Sequence, residues 1–123
     1  MRTSFTILLL SVMFFINVTV FAQLPEGVLD DFKPSVLNQP GQEYPQVNSQ
    51  GYARFRIFAP DAKSVKVTLG GREGTTLTKS EDGYWTGITA EPLDEGFHYY
   101  RLIIDGGVFN DPGTYTFYGS CRL

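Results

Sequence analysis

The chain has 123 residues, with 13 Asp and Glu against 10 Lys and Arg, for a formal net charge of −3. This mildly acidic balance has no basic run, which disfavours a nucleic-acid partner, because phosphate neutralisation needs clustered Lys and Arg. The single cysteine, Cys121, excludes a disulfide within the chain. Aromatic residues make up 15% of the sequence and there are 13 glycines, a mixture that favours strands over helices.

The first 22 residues have the pattern of a secretory signal peptide. Arg2 is followed by an apolar stretch from Phe5 to Phe21, and Val20-Phe21-Ala22 precedes a cleavage point before Gln23. The alternative is a retained membrane anchor, but no positively charged stop follows the apolar run. We therefore expect a secreted or periplasmic protein with no membrane association after cleavage. Its remaining 101 residues would carry a net charge of −4, and that length allows one domain with a modest core.

Residues 23–50 contain many residues that break helices and strands, and their apolar residues show no regular spacing. The segment is interrupted by Pro25, Pro34, Pro40-Gly41 and Pro45, and it ends in the polar run Gln46 to Gln50. Because proline removes backbone donors and fixes φ, we expect an extended leader that lies along another surface.

From residue 51 onward the apolar residues alternate with polar ones, as in half-buried strands. Turn signals such as Glu81-Asp82-Gly83 and Asp105-Gly106-Gly107 separate the runs. The predicted strands are 53–59, 64–69, 75–79, 84–88, 97–104, 108–109 and 114–118. Seven strands at spacings of about ten residues predict an all-β sandwich over residues 51–123.

The sequence contains few residues that could form a catalytic site. His98 is the only histidine. We expect it to be hydrogen-bonded within a strand and not to act as a general base. Ser120 lacks the second glycine of a nucleophile elbow. The acidic pairs Asp30-Asp31, Glu81-Asp82 and Asp94-Glu95 fall in the leader or in turns, where solvated acids are expected. No spacing suggests a metal site, and nothing calls for a cofactor.

The strands carry more aromatic rings than one core face requires, so a binding surface is the remaining possibility. Ring faces match the C–H faces of sugars, and Tyr hydroxyls and Arg supply hydrogen bonds at the edges. The candidate stacking rings are Tyr84, Trp85 and Phe109, and the candidate polar contacts are Tyr99 and Arg101. Two alternatives stand beside this one: Trp85 is a core residue, and the outward rings form an interface with another domain.

Several motifs resemble carbohydrate-binding module family 48, an early-set, immunoglobulin-like β-sandwich found at the amino terminus of isoamylase-like and glycogen-binding proteins. They are Asp82-Gly83-Tyr84-Trp85, the run from Gly96 through Tyr99 to Asp105-Gly106, and Asp111-Pro112. In this family Arg101 matches a basic ligand contact. Val108 stands where glycogen-binding members carry a stacking aromatic, a departure that disfavours starch or glycogen as the ligand.

The leader and the closing residues resemble a narrower group, the front end of secreted Bacteroidetes-type carbohydrate esterases of family 1, which includes feruloyl and acetyl xylan esterases. The matching stretches are residues 29–35, 39–41, 44–48 and Tyr118-Gly119. In that group the module leads into an α/β-hydrolase domain. The resemblance implies a non-catalytic module of such an esterase, from which the catalytic domain is missing. Its expected partners are xylan-type polysaccharide of the plant cell wall, an esterase catalytic domain, or both.

Overall fold

A computed structural model describes residues 24–70, 74–117 and 120–122. The predicted signal peptide, residues 1–22, lies outside the described residues. Within them, no helix is long and apolar enough to cross a bilayer.

The described residues form two antiparallel sheets and no helix, as expected for an immunoglobulin-like β-sandwich. In chain order the strands are β1 (Lys33–Pro34), β2 (Gln46–Val47), β3 (Ala53–Phe58), β4 (Val65–Leu69), β5 (Thr75–Thr76), β6 (Thr78–Lys79), β7 (Tyr84–Ile88), β8 (Tyr99–Ile104), β9 (Gly107–Phe109), β10 (Thr116–Phe117) and β11 (Ser120–Arg122). Sheet 1 has the order β1-β2-β3-β7-β6. Sheet 2 has the order β10-β11-β8-β4-β5, and β9 also pairs with β8.

The core lies between the two sheets and follows from the alternation along each strand. Residues of β3 and β7 face residues of β4 and β8 across it, and all of the following are buried: Ala53, Phe55, Val65, Val67, Leu69, Leu77, Trp85, Tyr100 and Leu102. The rings of Phe55 from sheet 1 and Tyr100 from sheet 2 meet at a centroid distance of 5.3 Å with planes tilted by 55°. Such tilted aromatic pairs are favourable, so this contact joins the sheets at their centre.

The predicted strand 84–88 is confirmed at both ends, and the predicted strand 64–69 begins one residue later, at Val65. The predicted strand 75–79 is divided into β5 and β6 at Leu77, which turns into the core and whose N–H donates to the Val65 carbonyl. The longest predicted strand, 97–104, begins only at Tyr99, because Gly96 has a φ of 116° and the chain before it is irregular.

The segment predicted as an extended leader contributes β1 and β2 to sheet 1. It also reaches the far end of sheet 2. Gln39 N–H donates to the Gly113 carbonyl, and Tyr115 N–H donates to the Leu37 carbonyl. Residues 24–50 therefore contact both sheets of the sandwich.

Beneath this junction, the hydroxyl of Tyr100 donates to Asp111 Oδ2 over 2.8 Å and lies 3.3 Å from the Thr114 hydroxyl. All three side chains are buried. Asp111 Oδ1 also accepts the Gly113 N–H. The network satisfies buried polar groups at the place where the leader meets the sandwich.

Candidate functional site

The five residues predicted as a carbohydrate site lie in separate parts of the sandwich. Tyr99 and Arg101 are on the outer surface of sheet 2, and Tyr84 is on the outer surface of sheet 1. Trp85 is in the core and Phe109 lies at the rim. The structure therefore brings only Tyr99 and Arg101 together.

Trp85 is a core residue rather than a stacking ring, which corrects the prediction in favour of its alternative. Only 7% of the residue is exposed, and its indole N–H donates to the Ala59 carbonyl over 2.8 Å. Trp85 is paired with Ile57, which also packs against the core. A buried ring presents no face to a ligand.

Tyr99 and Arg101 project from β8 on the side opposite to the buried Tyr100 and Leu102, because successive strand side chains alternate between faces. Directly opposed residues of antiparallel strands share a face. The register places Thr68 opposite Arg101, and Lys66 and Val108 opposite Ile103. We call this surface the Arg101 face; its residues are Lys66, Thr68, Tyr99, Arg101, Ile103 and Val108.

The Arg101 face combines apolar area with positive charge. Tyr99 is 42% exposed, Val108 is 58% exposed and Arg101 is also exposed. The stem of Lys66 lies close to Gly74, where an added Cβ would come within 2.6 Å of Lys66 Cε and the Val67 carbonyl oxygen. Gly74 therefore leaves room for the lysine to lie flat beside the face.

Phe109 is 52% exposed but lies on the other side of β9 from the Arg101 face. It pairs with the buried Leu102, and its ring is packed over Gly107, where an added Cβ would approach Phe109 Cε2 within 2.7 Å. Phe109 cannot share a flat ligand with Tyr99, since the sheet separates them.

A second surface is built around Phe58 at one end of sheet 1, and sequence reasoning had not singled it out. Phe58 is 61% exposed, and its ring lies 4.9 Å from that of Tyr84, tilted by 53°. The guanidinium of Arg56 lies 3.9 Å from the Tyr84 ring centroid, and Arg56 Nη2 is 3.8 Å from Asp82 Oδ2. We call this surface the Phe58 shelf; its residues are Arg56, Phe58, Asp82, Tyr84 and Thr86.

The turn before β7 positions the acid of the Phe58 shelf. Asp82 Oδ1 accepts hydrogen bonds from the Ser80 hydroxyl and from the Tyr84 N–H. The Ser80 bond, then the Tyr84 N–H, and more weakly the Arg56 charge, hold the pKa of Asp82 below its ordinary value. Gly83, with a φ of 83°, closes this turn.

The opposite end of the same outer surface is covered by the leader. Arg54 Nε and Nη2 donate to Gln46 Oε1, and Nη1 donates to Asp30 Oδ1 at 3.2 Å. Its guanidinium lies 4.2 Å from the Phe32 ring centroid. Tyr44 also approaches Arg56, with 5.8 Å between guanidinium and ring centroid.

A cleft of about 350 Å³ lies between the β2–β3 turn and the loop before β8. The polar side chains of the turn are used internally. Asn48 and Gln50 bind the backbone of Leu29 and each other, and Ser49 bonds to Asp31, whose pKa is lowered chiefly by the Ser49 hydroxyl. The role of these groups is to hold the leader.

His98 lies before β8, not within it, which corrects its predicted place. Its Nε2–H donates to the carbonyl of Asp94, as expected for a structural histidine. Among residues 24–70, 74–117 and 120–122, no group of three or more His, Cys, Asp and Glu is placed to hold a metal ion.

No protein-family model matches the chain. A curated protein from Xylanibacter ruminicola, described as an endo-1,4-beta-xylanase/feruloyl esterase, is 67% identical over 95 residues. That match covers 76% of this chain and 13% of the relative's length. The chain is thus closely similar to a small part of a longer enzyme.

Two solved structures of pullulanases are also similar. The enzyme from Bacillus acidopullulyticus matches 73% of this chain and 13% of its own, with a TM-score of 0.50 and 22% identity, which supports the fold. The apo enzyme from Paenibacillus barengoltzii matches 55% of this chain and 13% of its own, with a TM-score of 0.41 and 26% identity.

Proposed function

We propose that this chain is a non-catalytic carbohydrate-binding module that serves a longer, secreted or periplasmic xylan-degrading esterase. The Arg101 face carries the proposal. It places an exposed tyrosine ring and an arginine two residues apart on one strand, beside Thr68 and Val108 on the neighbouring strands.

The chemistry of this face suits a polysaccharide. The Tyr99 ring and the side chain of Val108 lie at opposite ends of this face, because Val108 is paired with Ile103, four residues from Tyr99. They offer apolar surface to the C–H faces of different sugar rings of one chain. The guanidinium of Arg101 offers donors to ring hydroxyls at the edges. The hydroxyl of Thr68, which itself donates to the Arg101 carbonyl, offers an acceptor. Contacts of this kind hold a glycan and need no catalytic group.

Xylan is the polysaccharide that we favour. The Xylanibacter ruminicola protein, 67% identical over the matched region, is described as a xylanase and feruloyl esterase. Val108 in place of an aromatic ring also argues against starch. Export rests on the predicted signal peptide at residues 1–22.

Affinity gel electrophoresis tests this proposal directly. The protein is run in native gels that contain xylan, starch or no polysaccharide. We expect retardation in xylan alone. Equal migration in all three gels would refute independent glycan binding.

A second candidate function is a structural module that packs against a catalytic domain. It is favoured by Val108 and Phe109, which are each more than half exposed and give β9 an apolar side chain on both of its faces. This function predicts concentration-dependent self-association of the isolated chain through that apolar strand. A monodisperse monomer in light scattering would count against it.

A further inference from the structure

We propose that the Phe58 shelf is a second glycan-binding site, on the sheet opposite to the Arg101 face. The inference takes its ligand class from the proposed function, but it concerns different residues and a different surface. It makes the module bivalent.

Phe58 supplies the stacking surface of the shelf. Phe58 is 61% exposed. Its ring packs against that of Tyr84, with 4.9 Å between the two centroids. One face of Tyr84 is taken by the Arg56 guanidinium at 3.9 Å. Tyr84 is therefore a positioning residue, which contacts both Arg56 and Phe58, while Phe58 meets the ligand.

Arg56 and Asp82 supply a hydrogen-bond donor and an acceptor next to that ring. Arg56 Nη2 and Asp82 Oδ2 are 3.8 Å apart, beyond hydrogen-bonding distance, so the pair leaves both groups with bonding capacity. A sugar hydroxyl both donates and accepts. Hydroxyls of a sugar lying beside the pair can accept from the guanidinium and donate to the carboxylate.

The comparison with Arg54 identifies Arg56 as the arginine of this surface with capacity for a ligand. Both project from the same face of β3, and each stacks on an aromatic ring. Arg54 is engaged by three hydrogen bonds to Gln46 and Asp30. Within the described ranges the Arg56 guanidinium makes no hydrogen bond of that kind; it contacts the rings of Tyr84 and Tyr44 and lies 3.8 Å from Asp82.

Two hydroxyls extend the shelf across the sheet. Thr86 is paired with Arg56, and Thr78 on β6 is paired with Thr86, so the three side chains form one row beside the Phe58–Tyr84 row. The apolar row and the polar row run side by side, as the face and the edge of a pyranose require.

The charges of the shelf balance, which suits a neutral chain. Arg56 and Asp82 contribute one charge of each sign, and Asp82 remains ionised because its pKa is lowered by Ser80 and Tyr84. Because these two charges cancel, the pair favours neither a polyanion nor a polycation. We therefore commit to a neutral polysaccharide segment, of the kind found in a xylan backbone.

The test is a titration of the ¹⁵N-labelled protein with xylohexaose, followed by amide chemical shifts. We expect two groups of shifting amides, one around residues 56–58 and 82–86, and one around residues 66–68 and 99–103. Phe58→Ala should weaken binding for the first group about tenfold, since it removes a stacking contact worth about 1.4 kcal/mol. Arg56→Gln, which keeps the Phe58 ring, should weaken the same group. Both changes should leave the second group unaffected, and so should the control Val36→Ala, which truncates an exposed apolar side chain outside both surfaces.

The outcomes separate this inference from the proposed function. Shifts confined to residues 66–68 and 99–103 would overturn the second site and leave the first. Shifts confined to residues 56–58 and 82–86 would support the second site and overturn the first, and no shifts at all would overturn both. Movement of the shelf amides with protein concentration, without xylohexaose, would identify the shelf as a protein contact and contradict the inference.

Discussion

The guanidinium of Arg56 lies 3.9 Å from the centre of the Tyr84 ring and 3.8 Å from the carboxylate of Asp82. Asp82 in turn accepts the Tyr84 N–H. The three residues thus form a closed group in which the turn before β7 holds an arginine of β3. This group links the stability of the hairpin to the shape of the Phe58 shelf.

Asp82→Asn should destabilise the protein at neutral pH and not at strongly acidic pH. The folded state lowers the pKa of Asp82 through the Ser80 hydroxyl and the Tyr84 N–H. A lowered pKa contributes stability above the unfolded-state pKa, and this contribution is lost as the pH falls through the folded-state value. Urea unfolding at several pH values measures the difference between variant and wild type. Glu81→Gln, which alters an acid of the same turn without these hydrogen bonds, is the control, and a pH-independent difference for Asp82→Asn would contradict this account.

Gly83→Ala should lower the free energy of unfolding more than Gly96→Ala. Both glycines have positive φ, at 83° and 116°, so each substitution carries backbone strain of about 1–2 kcal/mol. A Cβ at Gly83 would also come within 3.0 Å of Pro60 Cβ and 3.2 Å of Phe58 Cε2, whereas at Gly96 nothing lies within 4 Å. Equal losses in chemical denaturation would show that the Phe58 contact does not matter.

Trp85→Ala should cost about 3–5 kcal/mol of unfolding free energy, as truncation of a buried large ring does. Trp85→Phe should cost less, since it keeps most of the packing and loses the hydrogen bond to Ala59. Phe109→Ala is the matched surface change, with an expected cost below about 1.5 kcal/mol because the ring is half exposed. If Trp85→Ala weakened glycan binding and left the free energy of unfolding unchanged, Trp85 would be a ligand contact, which would contradict this account.

Tyr100→Phe should cost about 1–3 kcal/mol, because it removes the donor to the buried carboxylate of Asp111. The same network lies under the junction of the leader with residues 113–115. We therefore expect faster hydrogen exchange at Gln39 and Tyr115 in this variant. Tyr115→Phe, an exposed hydroxyl deletion, should change the stability by less than about 0.5 kcal/mol; if it costs as much as Tyr100→Phe, burial of the network is not the cause.

Much of the fold follows from alternation in the sequence. The period of two places Phe55, Val67 and Leu77 inward, and the structure confirms each of them. The strands β1 and β2 have two residues each, too few for any period to be visible. Their place in sheet 1 depends on the pairing of β2 with β3 and of β1 with β2, which no pattern within the leader predicts.

The candidate site was harder to predict, because alternation separates inward from outward residues but does not say to which sheet a strand belongs. Tyr84 and Tyr99 both point outward, yet β7 pairs with β3 and β8 pairs with β4, so the two rings lie on opposite sheets. The signal for Phe58 was present in the outward set Arg54, Arg56 and Phe58. This outward set could be interpreted as a surface only from the strand register, which places Tyr84 opposite Phe58.

Glycan binding by the Arg101 face is the central claim, and affinity electrophoresis in xylan with Tyr99→Ala and Arg101→Ala measures it most directly. Wild type should be retarded by xylan, and each variant should show an apparent affinity lower by about tenfold, the effect of losing about 1.4 kcal/mol of contact. Phe109→Ala, on the other side of β9, should migrate like wild type. Retardation that is unchanged in both Tyr99→Ala and Arg101→Ala would contradict the claim.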